Sequence, residues 1–168
     1  GKCRKCHSKI PINYPMVEVL CGILFSASFV WLPYSLDSAE HILMFVLWLL
    51  VCVLMTALII FDFRTYLLPT SIVYSAAVFA AIHKLVVILI SNDSLYRQFL
   101  WLGLSIAVSS GFFWILHFVS RGKWIGYGDV RFGLVIGLLV SNPMQSWMTI
   151  FFASIFGLLF GVTHAIVG

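Results

Sequence analysis

Charge is what this sequence has least of. Asp, Glu, Lys and Arg make up 10% of its 168 residues, against about a quarter in a soluble domain. Hydrophobic residues make up 62% and the mean hydropathy is +1.07. No soluble domain of this size has interior enough to hide that much apolar surface, so the solvent for most of the chain is lipid. Repeats and low-complexity segments are also lacking, which excludes solenoids and disordered tails. The basic residues are not gathered into a recognition element, which argues against a nucleic-acid partner despite the net charge of +4. A cleavable signal pattern is missing too, because the basic start runs into Pro11 and Pro15 rather than an apolar core. Cysteine is sparse: Cys21 and Cys52 lie in apolar runs, and Cys3 and Cys6 form a CxxC in a basic segment.

What is present is a series of apolar runs. A membrane-crossing helix needs about 20 such residues, and six candidates run roughly over Pro15–Leu36, His41–Phe61, Thr70–Ile90, Tyr96–Val119, Val130–Val140 and Ser146–Val167. The fifth is short for a crossing unless Ser141–Met144 joins it, and a re-entrant segment is the other option. Connections of a few residues make neighbouring spans antiparallel. The expected fold is all-α: a polytopic transmembrane bundle of about six membrane segments with short loops. Residues 1–14 form a polar start, and residues 15–168 the membrane domain.

Basic residues orient such a bundle. With the polar start inside, Lys2, Arg4, Lys5, Lys9, Arg64, Arg121, Lys123 and Arg131 all fall on the cytoplasmic side, eight of the ten Lys and Arg. The cytosol keeps thiols reduced, so the CxxC there reads as metal-binding rather than as a disulfide. Asp37, Glu40 and Asp93 then lie in outer loops, and Glu18 opens the first span. Asp62 and Asp129 both stand at the cytoplasmic border, each beside a span end.

Each of the two has a bland reading. Asp62 could pair with Arg64 or meet lipid headgroups, with Pro69 starting the next helix in the usual way. Asp129 closes a GxGD, Gly126-Tyr127-Gly128-Asp129. Its glycines permit a tight turn and close approach to a neighbour, and the acid could simply cap the helix from Val130 onward. Together they offer more. Two carboxylates brought close cannot both ionise cheaply, so they share a proton and titrate as a unit. Such a pair hydrolyses peptides: the ionised member activates water, and the protonated one polarises the carbonyl. No Ser or His arrangement competes with it. Gly133-x-x-x-Gly137 and Gly157-x-x-x-Gly161 each put glycines on one helix face, and both are expected to seat their helices against neighbours.

Asp62 with Pro69 seven residues on, then GxGD at 126–129, resembles the paired-aspartate pattern of type IV prepilin peptidases. Cys3-Arg4-Lys5-Cys6 and Tyr14-Pro15-Met16-Val17-Glu18 are similar to the family's second CxxC and the opening of its following span. Three landmarks in order carry the resemblance over nearly the whole chain. It implies a membrane aspartic endopeptidase that removes the leader of type IV prepilins or pseudopilins, at the cytoplasmic face of the bacterial inner membrane. It makes Asp62 and Asp129 the catalytic pair, with Gly126, Gly128, Pro69 and Arg131 supporting the motifs; Arg131 stands where a Lys is common.

The resemblance also sets expectations for cofactors. The peptidase itself needs none. Cys3 and Cys6 supply two of the four thiolates of a zinc site, and residues 1–14 read as the remnant of a cytoplasmic zinc and methyltransferase region. S-adenosylmethionine is expected only if N-methylation is retained. The family has an earlier span and CxxC before the position of Gly1, and at least one further span after that of Gly168. Two alternatives remain. One is a GxGD peptidase cutting within a substrate helix, although such enzymes place Tyr before the first Asp, where Phe61 stands here. The other is a transporter or channel subunit using Asp62 and Asp129 as ion or proton sites.

Overall fold

The computed structural model describes residues 4–7, 12–32, 34–65 and 67–167. Among these residues six helices follow in order: α1 Asn13–Val30, α2 Ala39–Thr65, α3 Thr70–Ile90, α4 Leu95–Val119, α5 Tyr127–Val140 and α6 Pro143–Val167. No strand occurs among the described residues. Helices are what a chain of this hydropathy must form, because they satisfy every backbone N–H and C=O within the segment.

Four of the helices, α2, α3, α4 and α6, are long and apolar enough to cross a membrane. The first span is shorter than its apolar run, since α1 ends at Val30 and a turn begins at Trp31. Residues 141–144 do not lengthen the fifth. Ser141 takes the left-handed conformation (φ 54°) and closes α5 at 14 residues, a helix of roughly 21 Å that falls short of a hydrocarbon core of about 30 Å. This short element is nonetheless the hub of the bundle, since α5 packs on α4, α3 and α6, while α2 packs on α3 and α1 flanks α2.

The core lies where α2, α3 and α5 meet. Val51 and Leu58 of α2, Val73, Ala76, Ala77 and Ala80 of α3, and Val135 and Leu138 of α5 form one buried cluster. The three alanines let α3 approach a helix on either side. Lipid gives two apolar helices little hydrophobic reason to associate, so close backbone approach and interhelical hydrogen bonds carry the packing. Both occur between α4, α5 and α6. A Cβ on Gly137 would lie 2.6 Å from the Ile106 Cα, and one on Gly133 would lie 2.9 Å from the Ser109 carbonyl oxygen. The Ser105 hydroxyl donates to the Gly137 carbonyl (2.9 Å), which makes Ser146 the donor in its 2.6 Å bond to Ser105. Ser110 donates to the Val130 carbonyl (2.9 Å).

The second glycine pair behaves otherwise. A Cβ on Gly157 or Gly161 would meet nothing within 4 Å among the described residues. The expectation that this face seats α6 against a neighbour is therefore not met. It is the first half of α6 that touches the bundle, through the buried Ser146 and Ile150.

Candidate active site

Asp62 and Asp129 reach the same end of the bundle from different helices. Asp62 lies in the last turn of α2 and is exposed. Among the described residues it makes no ion pair with Arg64, whose guanidinium lies over the Tyr14 ring at 5.9 Å instead. Pro69 holds the N-cap position of α3, in extended conformation (φ −65°), and its carbonyl accepts the N–H groups of Ile72 and Val73.

Asp129 is not a helix cap. The N-cap of α5 is Gly126, and Asp129 is the third helical residue, half-buried. The Asp129 N–H donates to the Gly126 carbonyl (3.2 Å), and the backbone amides of Gly126 and Asp129 favour the charged form of the carboxylate. Gly126 has ordinary negative φ. What Gly128 supplies here is space rather than a turn. A Cβ on Gly128 would stand 3.3 Å from the Leu68 Cβ, so the absence of a side chain lets the start of α5 settle on the loop that follows Asp62. Arg131 fastens the same seam by donating from a terminal nitrogen to the Thr70 hydroxyl (2.9 Å).

Electrostatics follows from this placement. Asp129 lies at the first turn of the short α5, outside the four long spans. Partial burial pushes its carboxyl above the ordinary carboxylate range, and the nearby charge of Asp62 pushes the same way, against the Gly126 N–H. Two carboxyls whose environments differ in this manner suit an acid and a base.

Other side chains frame the pair without having been visible as site residues in the sequence. The Tyr127 ring lies between the Arg131 guanidinium (4.8 Å) and the His117 ring (5.5 Å). Arg131 also faces the Tyr74 ring at 5.5 Å, beside a cavity of about 160 Å³ lined by Tyr74, Ser110, Tyr127 and Arg131 among others. Tyr127 sits inside the GxGD and could have been suspected there, whereas Leu68 and His117 carry no local signal. Next to Asp62, an apolar groove of about 910 Å³ runs between α1 and the end of α2, with Met16, Leu20 and Ile23 on one wall and Ile60, Phe63 and Arg64 on the other.

Of the expected zinc ligands, Cys3 lies outside the described residues, and Cys6 is exposed at the chain's start. No group of three or more His, Cys, Asp or Glu that could hold a metal occurs among the described residues. A tetrahedral thiolate site needs four ligands, so the described residues do not make one.

The class these features define is a helical membrane bundle that joins two carboxylates from separate helices at one end. Residues 48–162 match the Type IV leader peptidase family, and residues 1–32 match the bacterial Peptidase A24 N-terminal domain. The chain belongs to the Type IV leader peptidase family. It is 26% identical over 170 aligned residues to a prepilin leader peptidase/N-methyltransferase of Bacillus subtilis (strain 168), a match covering 100% of this chain and 61% of that protein. It is 27% identical over 145 residues to the protein of the same name from Pectobacterium carotovorum subsp. carotovorum, covering 82% of this chain and 46% of the relative. The chain thus spans less than two thirds of either relative's length. No solved structure matches it.

Proposed function

We propose that this chain carries the peptidase site of a membrane-embedded aspartic endopeptidase, which cuts the leader from type IV prepilins or pseudopilins at the cytoplasmic border of the bacterial inner membrane. The observation that carries the reading is the convergence of Asp62 and Asp129, with Asp129 the acid whose surroundings favour its protonated form. Family membership and the names of the two relatives supply the substrate class.

In this mechanism the exposed Asp62 is the base and takes a proton from water as the water oxygen attacks the scissile carbonyl. Asp129 donates its proton to the carbonyl oxygen, giving a tetrahedral diol. The proton on Asp62 then passes to the amide nitrogen as the C–N bond breaks, and Asp129 recovers its own from the collapsing diol. Two carboxylates and water suffice, with no metal in the step. The substrate's hydrophobic helix lies along the apolar groove between α1 and α2, which brings the junction of leader and helix to Asp62 beside Phe63. The relatives' names also refer to an N-methyltransferase activity, which would draw on S-adenosylmethionine and is separate from the cleavage proposed for this dyad.

The test is cleavage of a prepilin by the purified protein in detergent or lipid, mapped by mass spectrometry, beside Asp62→Asn and Asp129→Asn. Cutting at the leader junction that is lost in both variants is the expected result. Cutting that survives either change removes that aspartate from the mechanism. Ion-dependent flux without cutting would replace the peptidase by the transporter reading.

A further inference from the structure

The aspartate at the start of α5 is held in place partly from α4. His117 lies in the last turn of α4, and its Nδ1 is 2.8 Å from the Ile125 carbonyl oxygen. A carbonyl can only accept, so Nδ1 carries the proton and donates. Ile125 immediately precedes Gly126, whose carbonyl accepts the Asp129 N–H (3.2 Å). The other side of the same turn is held as well, since the His117 ring meets Tyr127 edge to face at 5.5 Å.

The loop between α4 and α5 is built around this ring. Arg121 and Gly122 turn the chain back with positive φ (51° and 75°), and the Gly122 N–H donates to the His117 carbonyl (2.8 Å). A Cβ on Gly122 would stand 3.2 Å from the His117 Cε1, so the turn closes directly over the imidazole. From Tyr127 the contacts pass to Arg131 (4.8 Å) and from Arg131 to Thr70 (2.9 Å), which ends at the start of α3, on the Asp62 side of the seam.

We propose that His117 is a positioning residue for Asp129: its Nδ1–H on the Ile125 carbonyl and its ring against Tyr127 fix the first turn of α5 at the height where Asp129 faces Asp62. The inference rests on the peptidase reading for its kinetic consequence but not for its geometry, and the two are tested apart. A displacement of about 1 Å at a reacting group costs roughly 10²-fold in rate while leaving distant substrate contacts intact.

The kinetic arm compares His117→Ala, His117→Asn and His117→Gln on a prepilin. An Asn amide nitrogen stands near the position of Nδ1, whereas a Gln amide reaches toward Nε2. His117→Ala is expected to lower kcat by roughly 10- to 100-fold with KM unchanged, His117→Asn to recover most of that loss, and His117→Gln to recover none. Equal activity of the Asn and Gln variants, or parent kcat in the Ala variant, overturns the proposal. The second arm needs no catalysis. Leu68→Cys and Gly128→Cys are introduced with the four native cysteines changed to Ala, because the positions are close enough for a disulfide. Adding His117→Ala is expected to slow oxidative cross-linking about fivefold, the factor by which one lost hydrogen bond shifts a local equilibrium. Slowed cross-linking, where the parent chain with Gly128 intact cleaves nothing, keeps the positioning role and discards the peptidase. Unchanged cross-linking with unchanged kcat discards the positioning role and keeps the peptidase.

Discussion

The helices α5 and α6 carry the same glycine spacing and put it to opposite uses. On α5, Gly133 and Gly137 press against the α4 backbone so closely that a methyl group at Gly137 would lie 2.6 Å from Ile106. On α6, Gly157 and Gly161 look onto open space among the described residues. The α5 pair is backed by polar contacts: Ser105 donates to the Gly137 carbonyl and Ser110 to the Val130 carbonyl. On α6, Ser154 turns back onto its own helix, at the Ile150 carbonyl. A small-residue stripe makes close approach possible, and it becomes an interface only where a neighbour offers its backbone and a donor to match.

The sharpest way to break this comparison is substitution at the matched positions. Gly137→Val is expected to cost about 3 kcal/mol, because besides the Ser109 hydroxyl it meets the Ile106 backbone of α4, which cannot rotate away. Gly161→Val is expected to change unfolding by less than about 0.5 kcal/mol. Denaturant unfolding in mixed micelles measures both, and equal effects would erase the distinction. Next in size, Ser105→Ala should cost about 1 kcal/mol, the usual scale for an interhelical hydrogen bond in a membrane protein. It removes the donor to the Gly137 carbonyl and the acceptor for Ser146. Ser154→Ala, which removes only a bond within one helix, is expected to be neutral in the same assay.

Gly128→Ala moves the comparison from stability to chemistry. The added methyl meets the Leu68 side chain at 3.3 Å, which can yield by a few tenths of an ångström. Stability should therefore change by less than about 1 kcal/mol, while prepilin cleavage falls by roughly tenfold or more through displacement of Asp129. Steady-state kinetics beside a melting curve separates the two effects.

The smallest effect is electrostatic. The Asp129 carboxyl is raised above its ordinary value by burial first and by Asp62 second. A raised carboxyl favours folding while protonated, and that contribution is lost as pH climbs from the unfolded value through the folded one. Asp129→Asn is therefore expected to melt slightly higher than the parent at neutral pH, with the gap closing below the ordinary carboxylate range. A gap of the opposite sign at neutral pH would mean that the aspartate is held as its anion.

The two acids of the candidate site were legible because their signals are local. Asp62 and Asp129 stood out as carboxylates at the borders of apolar runs, and the short spacing of GxGD marked the second of them. The motif's glycines were legible by half. Of the turn and the close approach expected of them, Gly128 shows the approach, against Leu68, whereas Gly126 has ordinary backbone angles and makes no special turn. Leu68 and His117 were missed for the same reason. Each acts on a partner across a loop, and neither has a neighbour in sequence that hints at it.

Hydropathy and charge by themselves determined that this chain forms apolar helices, roughly where they run, and that two acids stand at span ends. Those properties follow from the transfer of each segment into lipid, which depends on the segment alone. Only the tertiary structure decided that the shortest helix is the hub, which glycine face is used, and that Leu68 and His117 meet the start of α5. Packing depends on what arrives from elsewhere in the chain. A Gly on α5 has the same local sequence signature as a Gly on α6, and the α4 backbone lies against only one of them.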